Sequence, residues 1–158
     1  MNKLNEVYKL WLDLLANLQD IFLLIIRLYW GYGFFQAGLG KLNNMERTIG
    51  FFTKLGIVLP ELNAYLAAST EMIGGLFLIF GFGARIFTIP LIFTMFIAYL
   101  TAHREELFAI FSETDKFLEA SPFLFLLAST IILLFGAGRF SVDYLITKSK
   151  NKSNQKFS

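Results

Sequence analysis

Among its 158 residues the chain has no cysteine and a single histidine. This excludes disulfides, thiolate metal sites, iron–sulfur clusters and thiol redox chemistry, and it leaves no multi-histidine metal site or bis-histidine haem site. Charge is scarce too: 16% of residues are charged and the formal net charge is +2. Soluble domains carry about 25% charged residues, and a nucleic-acid-binding domain shows a basic footprint that is missing here. No autonomous catalytic or redox centre is expected, so electrons, if involved, would travel on a bound cofactor or partner; an intramembrane enzyme using Glu71 as acid or base is a third reading, with no nucleophile or metal set to support it.

What the chain has in abundance is apolar surface. Its residues are 56% hydrophobic, 19 of them Phe, and the mean hydropathy is +0.58. Four apolar runs stand out: Ile21–Leu39, Leu62–Ala84, Ile86–Ala102 and Pro122–Gly138. A crossing helix needs about 20 residues, and in hydrocarbon the backbone must satisfy its own hydrogen bonds, which makes these runs helices. The predicted fold class is all-α: a membrane four-helix bundle over 21–145, with an N-terminal amphipathic interfacial helix over 1–20. A basic tail over 146–158 is expected to be disordered.

In the N-terminal piece, Val7, Leu10, Trp11, Leu14, Leu15 and Leu18 recur at helical spacing against Lys9, Asp13 and Asn17. Such a helix suits a membrane surface or a packing face against the bundle. Glu6, Asp13 and Asp20 break the basic-then-apolar order of a signal peptide, so Ile21–Leu39 is read as the first span. The segment from Lys41 to Glu61 reads as a second surface helix or a shallow re-entrant piece. Pro122 marks the start of the fourth span, with Ser121 as its expected cap. Four crossings put both termini on one side. The Lys and Arg distribution places that side in the cytoplasm, with much of the bias in the tail lysines.

Two spans hold a charge inside hydrocarbon, Arg27 in the first and Glu71 in the second. Such residues face protein, water or a ligand, because a charge in lipid costs at least about 2.5 kcal/mol. Arg27, Gly31, Gly38 and Lys41 share one stripe of the first helix, and Ala64, Glu71 and Gly74 or Gly75 form the matching stripe of the second. Small residues there, Gly38, Gly74 and Gly75 above all, let backbones approach closely. Arg27 sits roughly 9 Å and Glu71 roughly 18 Å in from the same end of their spans, a gap that the Arg side chain, helix tilt and a water are expected to close. The result would be an intramembrane polar pocket of Arg27, Gly31, Gln36, Lys41, Glu71 and His103. The alternative is a structural ion pair that fixes register and adds little stability.

His103 ends the third span and reads either as a proton donor to a bound ring or as a cap on the last carbonyls. Glu105, Glu106, Glu113 and Asp115 read as a solvated acidic loop rather than a cation site, and no metal is expected. Tyr32 is expected to share a cavity with Arg27, while Tyr65 and Tyr99 suit interfacial belts. Gly136-x-Gly138-Arg139 follows an apolar helical run rather than a strand, so it terminates a helix and is no phosphate loop.

Taken in order, Arg27-x-x-x-Gly31-x-x-Phe34-x-x-x-Gly38-x-x-Lys41, Glu71-x-x-Gly74-Gly75, Gly81 and Arg85 resemble the signature of the DoxX family. So do Ala98-Tyr99-Leu100-Thr101-Ala102-His103-Arg104 and the closing Gly136-x-Gly138-Arg139-Phe140-Ser141-Val142-Asp143. The resemblance covers about residues 20–145, and Ala137 stands where the family usually has proline. It implies a four-helix bundle in the bacterial inner membrane. The family name comes from small membrane subunits associated with sulfur-compound and quinone oxidation, other members sit in redox-stress complexes, and many members have no assigned activity. By that resemblance the expected role is a non-catalytic subunit or anchor of an oxidoreductase complex, with a quinone or lipid in its polar pocket. The expected partners are membrane lipid and a redox protein or further copies of the chain. A small-molecule or proton carrier working as an oligomer is the alternative.

Overall fold

The computed structural model describes residues 3–156, and every regular element among them is helical. In chain order these are α1 (Lys3–Asn43), α2 (Met45–Lys54), α3 (Pro60–Phe80), α4 (Ala84–Thr101), α5 (Arg104–Phe108), α6 (Thr114–Glu119), α7 (Ser121–Phe135) and α8 (Val142–Lys156). A 3₁₀ turn, Ala109–Phe111, joins α5 to α6. The fold class read from the sequence holds: the chain is all-α.

Four long helices form the body. The antiparallel pairs α1–α3 and α4–α7 carry the largest contacts, and α3–α4 and α1–α7 close the group. α3 and α4 are each long and apolar enough to cross a membrane, whereas α7 is a shorter apolar helix. Only 33% of the α3 span and 28% of the α4 span is buried inside the protein. These are therefore not the hidden core helices of a soluble domain; most of their apolar surface looks outward. The core itself is thin, with Phe34, Leu78, Leu91 and Ile132 fully buried at its centre.

Sequence punctuation explains most boundaries. Pro60 and Pro122 sit in the first turns of α3 and α7, where a missing N–H is harmless. Gly81 closes α3 in the left-handed region (φ 65°) that favours glycine. Gly136 (φ 82°) ends α7 at Phe135, three residues before the apolar run does.

Several expectations need correction. The N-terminal amphipathic segment is no separate helix: it runs without interruption into the first apolar run, giving one helix of 41 residues. Nothing between Lys3 and Gly31 is proline or glycine, so no breaker stands at the expected junction near Asp20. The basic tail is helical in α8 as far as Lys156 rather than disordered. Residues 1, 2, 157 and 158, part of the expected N-terminal helix and tail, lie outside the described residues. Ser121 is already inside α7, and no side chain caps that helix. Tyr65 is half-exposed, as a belt residue would be, but Tyr99 is fully buried. Its hydroxyl donates to the Phe117 carbonyl at 2.8 Å, and its ring stacks on Phe117.

Candidate functional site

The register of α1 on α3 decides which charges meet, and glycines set that register. A Cβ on Gly75 would lie 2.5 Å from the Phe35 nitrogen and 2.6 Å from the Gly31 carbonyl oxygen. One on Gly38 would run into the backbone of Ala68 and Met72. With the helices locked at these crossings, Glu71 lies level with the end of α1 that carries Gly38 and Lys41, while Arg27 lies level with the C-terminal end of α3. The two are about 15 Å apart along the helix axis. The expected Arg27–Glu71 pairing does not form. Gly74 also leaves the shared stripe, since a Cβ there would meet the Leu91 side chain of α4 at 2.9 Å.

Arg27 is sealed at one end of the bundle, 1% exposed. Its Nε donates to the Leu78 carbonyl at 2.9 Å. One terminal nitrogen donates to the Ala137 carbonyl. The other donates to Ile79 at 3.1 Å and Phe140 at 3.0 Å. Leu78 and Ile79 belong to the last turn of α3, whose carbonyls lack the usual helical partner four residues on; Leu78 also accepts from the Gly81 N–H at 3.1 Å. The fork of a guanidinium can satisfy several such acceptors at once, and the negative end of the helix dipole favours the cation. Arg27 thus ties α1 to the end of α3 and to the segment joining α7 and α8.

Asp143 completes this end. Its backbone N–H donates to the Gly81 carbonyl at 3.0 Å, and its carboxylate accepts from Gly83 N–H at 2.8 Å and Ala84 N–H at 3.1 Å, capping α4. Its role as a cap was hidden by the 60 residues that separate it from Gly83; the closing motif that contains it was the only trace. Nearby, Asp20 accepts from Arg139, joining the middle of α1 to the α7–α8 link.

The opposite end is open. Lys41 Nζ forms an ion pair with Glu71 Oε2; the carboxylate side chain is 3% exposed and the ammonium side chain 30%. Both line a cavity of about 680 Å³. Its walls are mostly apolar, with Phe34, Phe52, Ala67, Met95 and Phe125 prominent, and Thr70 and Asn63 add hydroxyl and amide groups. Phe34 and Phe125 meet edge to face with centroids 4.6 Å apart. The α2 helix and the segment after it supply Phe51, Phe52, Ile57 and Val58. That contribution was not legible in the sequence, where this stretch read only as surface or re-entrant.

His103 also lines the cavity. It stands at the start of α5, and its backbone N–H, not its side chain, donates to the Ala98 carbonyl of α4 at 3.1 Å; its Nδ1 is shielded from solvent without a hydrogen-bond partner among the described residues. Glu106 Oε1 lies 3.5 Å from that nitrogen. Of the six expected pocket residues, the structure therefore gathers Lys41, Glu71 and His103 around one cavity. Arg27 is at the far end, Gly31 packs against Gly75 and Ile79, and Gln36 points outward, donating to the Tyr32 hydroxyl at 2.6 Å. Gln36 and Tyr32 fall on the exposed side of α1, a quarter-turn or more from the stripe that meets α3.

The DoxX family model matches residues 22–104, a region that contains both ends of this charge pattern. The chain belongs to the DoxX family. It is 33% identical over 135 residues to a Bacillus subtilis protein provisionally named oxidoreductase CatD, covering 85% of this chain and 94% of that one. It is 27% identical over 130 residues to an uncharacterized Haemophilus influenzae protein, covering 80% and 83% respectively. No solved structure matches the chain. The DoxX family is membrane-associated, in keeping with the two crossing-length helices.

Proposed function

We propose that this DoxX protein is a non-catalytic membrane subunit or anchor of an oxidoreductase complex, offering the Lys41–Glu71 cavity to an apolar, ring-bearing ligand of the quinone type. α1 from about Ile21, α3, α4 and α7 cross the bacterial inner membrane, with both termini in the cytoplasm. The observation that carries this reading is the cavity itself. Three polar residues, Lys41, Glu71 and His103, are among those lining a mostly apolar space of about 680 Å³, the size and lining of a small-molecule site. Lys41 can hydrogen-bond a ring oxygen, while the partly exposed Phe52 and Phe125 side chains offer an aromatic wall to the ring. The provisional oxidoreductase name of the Bacillus subtilis relative points the same way.

A carrier needs a polar route between the two ends. Phe34, Leu78, Leu91 and Ile132, all fully buried, fill the space between Glu71 and Arg27, so the subunit reading is preferred.

The test is native mass spectrometry and solvent extraction of the gently purified protein. A quinone-type ligand should be retained by the unaltered chain and lost from the Lys41→Met, Glu71→Gln double variant with helicity unchanged. Equal retention by both would exclude this cavity as the site.

A further inference from the structure

We infer that a second copy of this chain docks along α1, through a parallel coiled-coil seam formed by Leu4, Val7, Trp11, Leu14, Leu18, Ile21, Ile25, Leu28 and Tyr32. These nine residues follow one another at alternating three- and four-residue steps, a seven-residue repeat maintained over four heptads. All of them are exposed, from 45% to 82%. They lie on the side of α1 away from its own bundle, which is met instead by Asp20, Leu23 and Arg27.

Lipid accounts for the half of this stripe beyond Ile21 but not for the first half. α1 is one uninterrupted helix, so if its later part crosses the membrane, its first part continues out of the membrane along nearly the same axis. Residues 4–18 extend by roughly 20 Å. They would hold Leu4, Val7, Leu10, Trp11, Leu14, Leu15 and Leu18 in water. A face of that kind needs a protein cover.

Two features identify the cover as a second copy. A strict seven-residue repeat drifts around a straight helix by about 20° per heptad, and only supercoiling with another helix of the same repeat keeps it buried. Copies inserted in one membrane are parallel and at equal depth, so a two-fold axis brings each stripe residue opposite its own equivalent. Charge agrees with such pairing: Glu6, Lys9, Asp13 and Asp20 all fall on the side away from the seam. The positions flanking it are Lys3 at the start and then Tyr8, Leu10, Leu15, Asn17, Phe22, Leu24, Tyr29 and Gly31, with no charge after Lys3. The stripe offers on the order of 800 Å² per copy, the per-partner area of a standard stable interface. The inference requires only that α1 crosses the membrane, and it is independent of whether the cavity binds a ligand.

The cysteine-free chain makes the test direct. Single replacements Leu14→Cys and Leu18→Cys on the seam, and Lys9→Cys and Asp13→Cys opposite it, are treated in native membranes with a short bis-maleimide. Covalent dimer should form at least ten-fold more at 14 and 18 than at 9 and 13; equal yields on both faces, or none, would overturn the seam. Native mass spectrometry of the unaltered chain should give a dimer, and a monomer or a complex with a different protein only would count against it. The Trp30→Phe variant leaves Trp11 as the sole tryptophan. Strong quenching of Trp11 by brominated lipid would show the first half of α1 lying in the membrane surface instead, and would also sink the inference.

Discussion

Arg27 and Lys41 lie on one stripe of the same helix, yet the bundle uses them in opposite ways. Arg27 has no carboxylate partner in contact among the described residues and is enclosed by four backbone carbonyls from α3 and the α7–α8 link. Lys41 has a carboxylate partner, Glu71, and keeps part of its side chain open to a cavity. A cation that completes the hydrogen bonding of three chain segments is a strut, and its value lies in what would be left unpaired without it. A cation held by one carboxylate beside an open space can exchange that partner for a ligand. Geometry therefore separates a structural end from a binding end, although residue type alone makes the two look equivalent.

The largest effect should come from the strut. Arg27→Met leaves the Ile79, Ala137 and Phe140 carbonyls without that donor and the Leu78 carbonyl with the Gly81 N–H alone. At about 1–3 kcal/mol for each buried group left unsatisfied, a loss of at least about 3 kcal/mol is expected, read as collapse of membrane yield and of the thermal transition in detergent. A near-normal transition would mean that Arg27 is no strut.

Next is the contact that sets the spacing of the two ends. Gly75→Ala drives a methyl into the Phe35 and Gly31 backbone. Overpacking of this kind costs about 1–3 kcal/mol. The loss should appear as a lower transition midpoint together with weaker ligand retention, because Lys41 and Glu71 slide out of register.

The binding end should respond asymmetrically. Lys41→Met strands a buried carboxylate and should cost about 2 kcal/mol, whereas Glu71→Gln leaves an ammonium that can turn toward the cavity and should cost less than about 1 kcal/mol. The double change should recover most of the stability lost in Lys41→Met. Thermal unfolding of the three variants, analysed as a double-mutant cycle, decides the point, and equal losses for the two single changes would contradict the described exposures.

Smaller still is Asp143→Ala, which removes the cap on α4 and should cost about 1 kcal/mol. Ligand retention should be unchanged, because Asp143 belongs to the closed end. Gln36→Ala should alter neither stability nor retention, since Gln36 is exposed on the outer face and its side chain hydrogen-bonds Tyr32 there.

The candidate site was legible only in part. Lys41, Glu71 and His103 could be picked out because polar residues beside long apolar runs are conspicuous. Gln36 was grouped with them because it is polar at the same depth, and depth says nothing about which face of a helix a side chain occupies. The cavity wall supplied by Phe51, Phe52, Ile57 and Val58 carried no signal, since its residue types suit lipid, core and ligand equally. The unbroken course of α1 had a trace, in the absence of any proline or glycine before Gly31, but amphipathicity drew attention to a boundary that the backbone does not make.

By itself the sequence determined the helical class, the order of the apolar helices and their antiparallel succession. Each of these follows from local hydropathy, from proline and glycine at helix ends, and from short links. Only the tertiary structure decided the partners of Arg27 and Glu71. That choice depends on how far α1 slides along α3, and the slide is set by backbone contact at Gly31, Gly38 and Gly75, a relation between distant segments that no local pattern encodes.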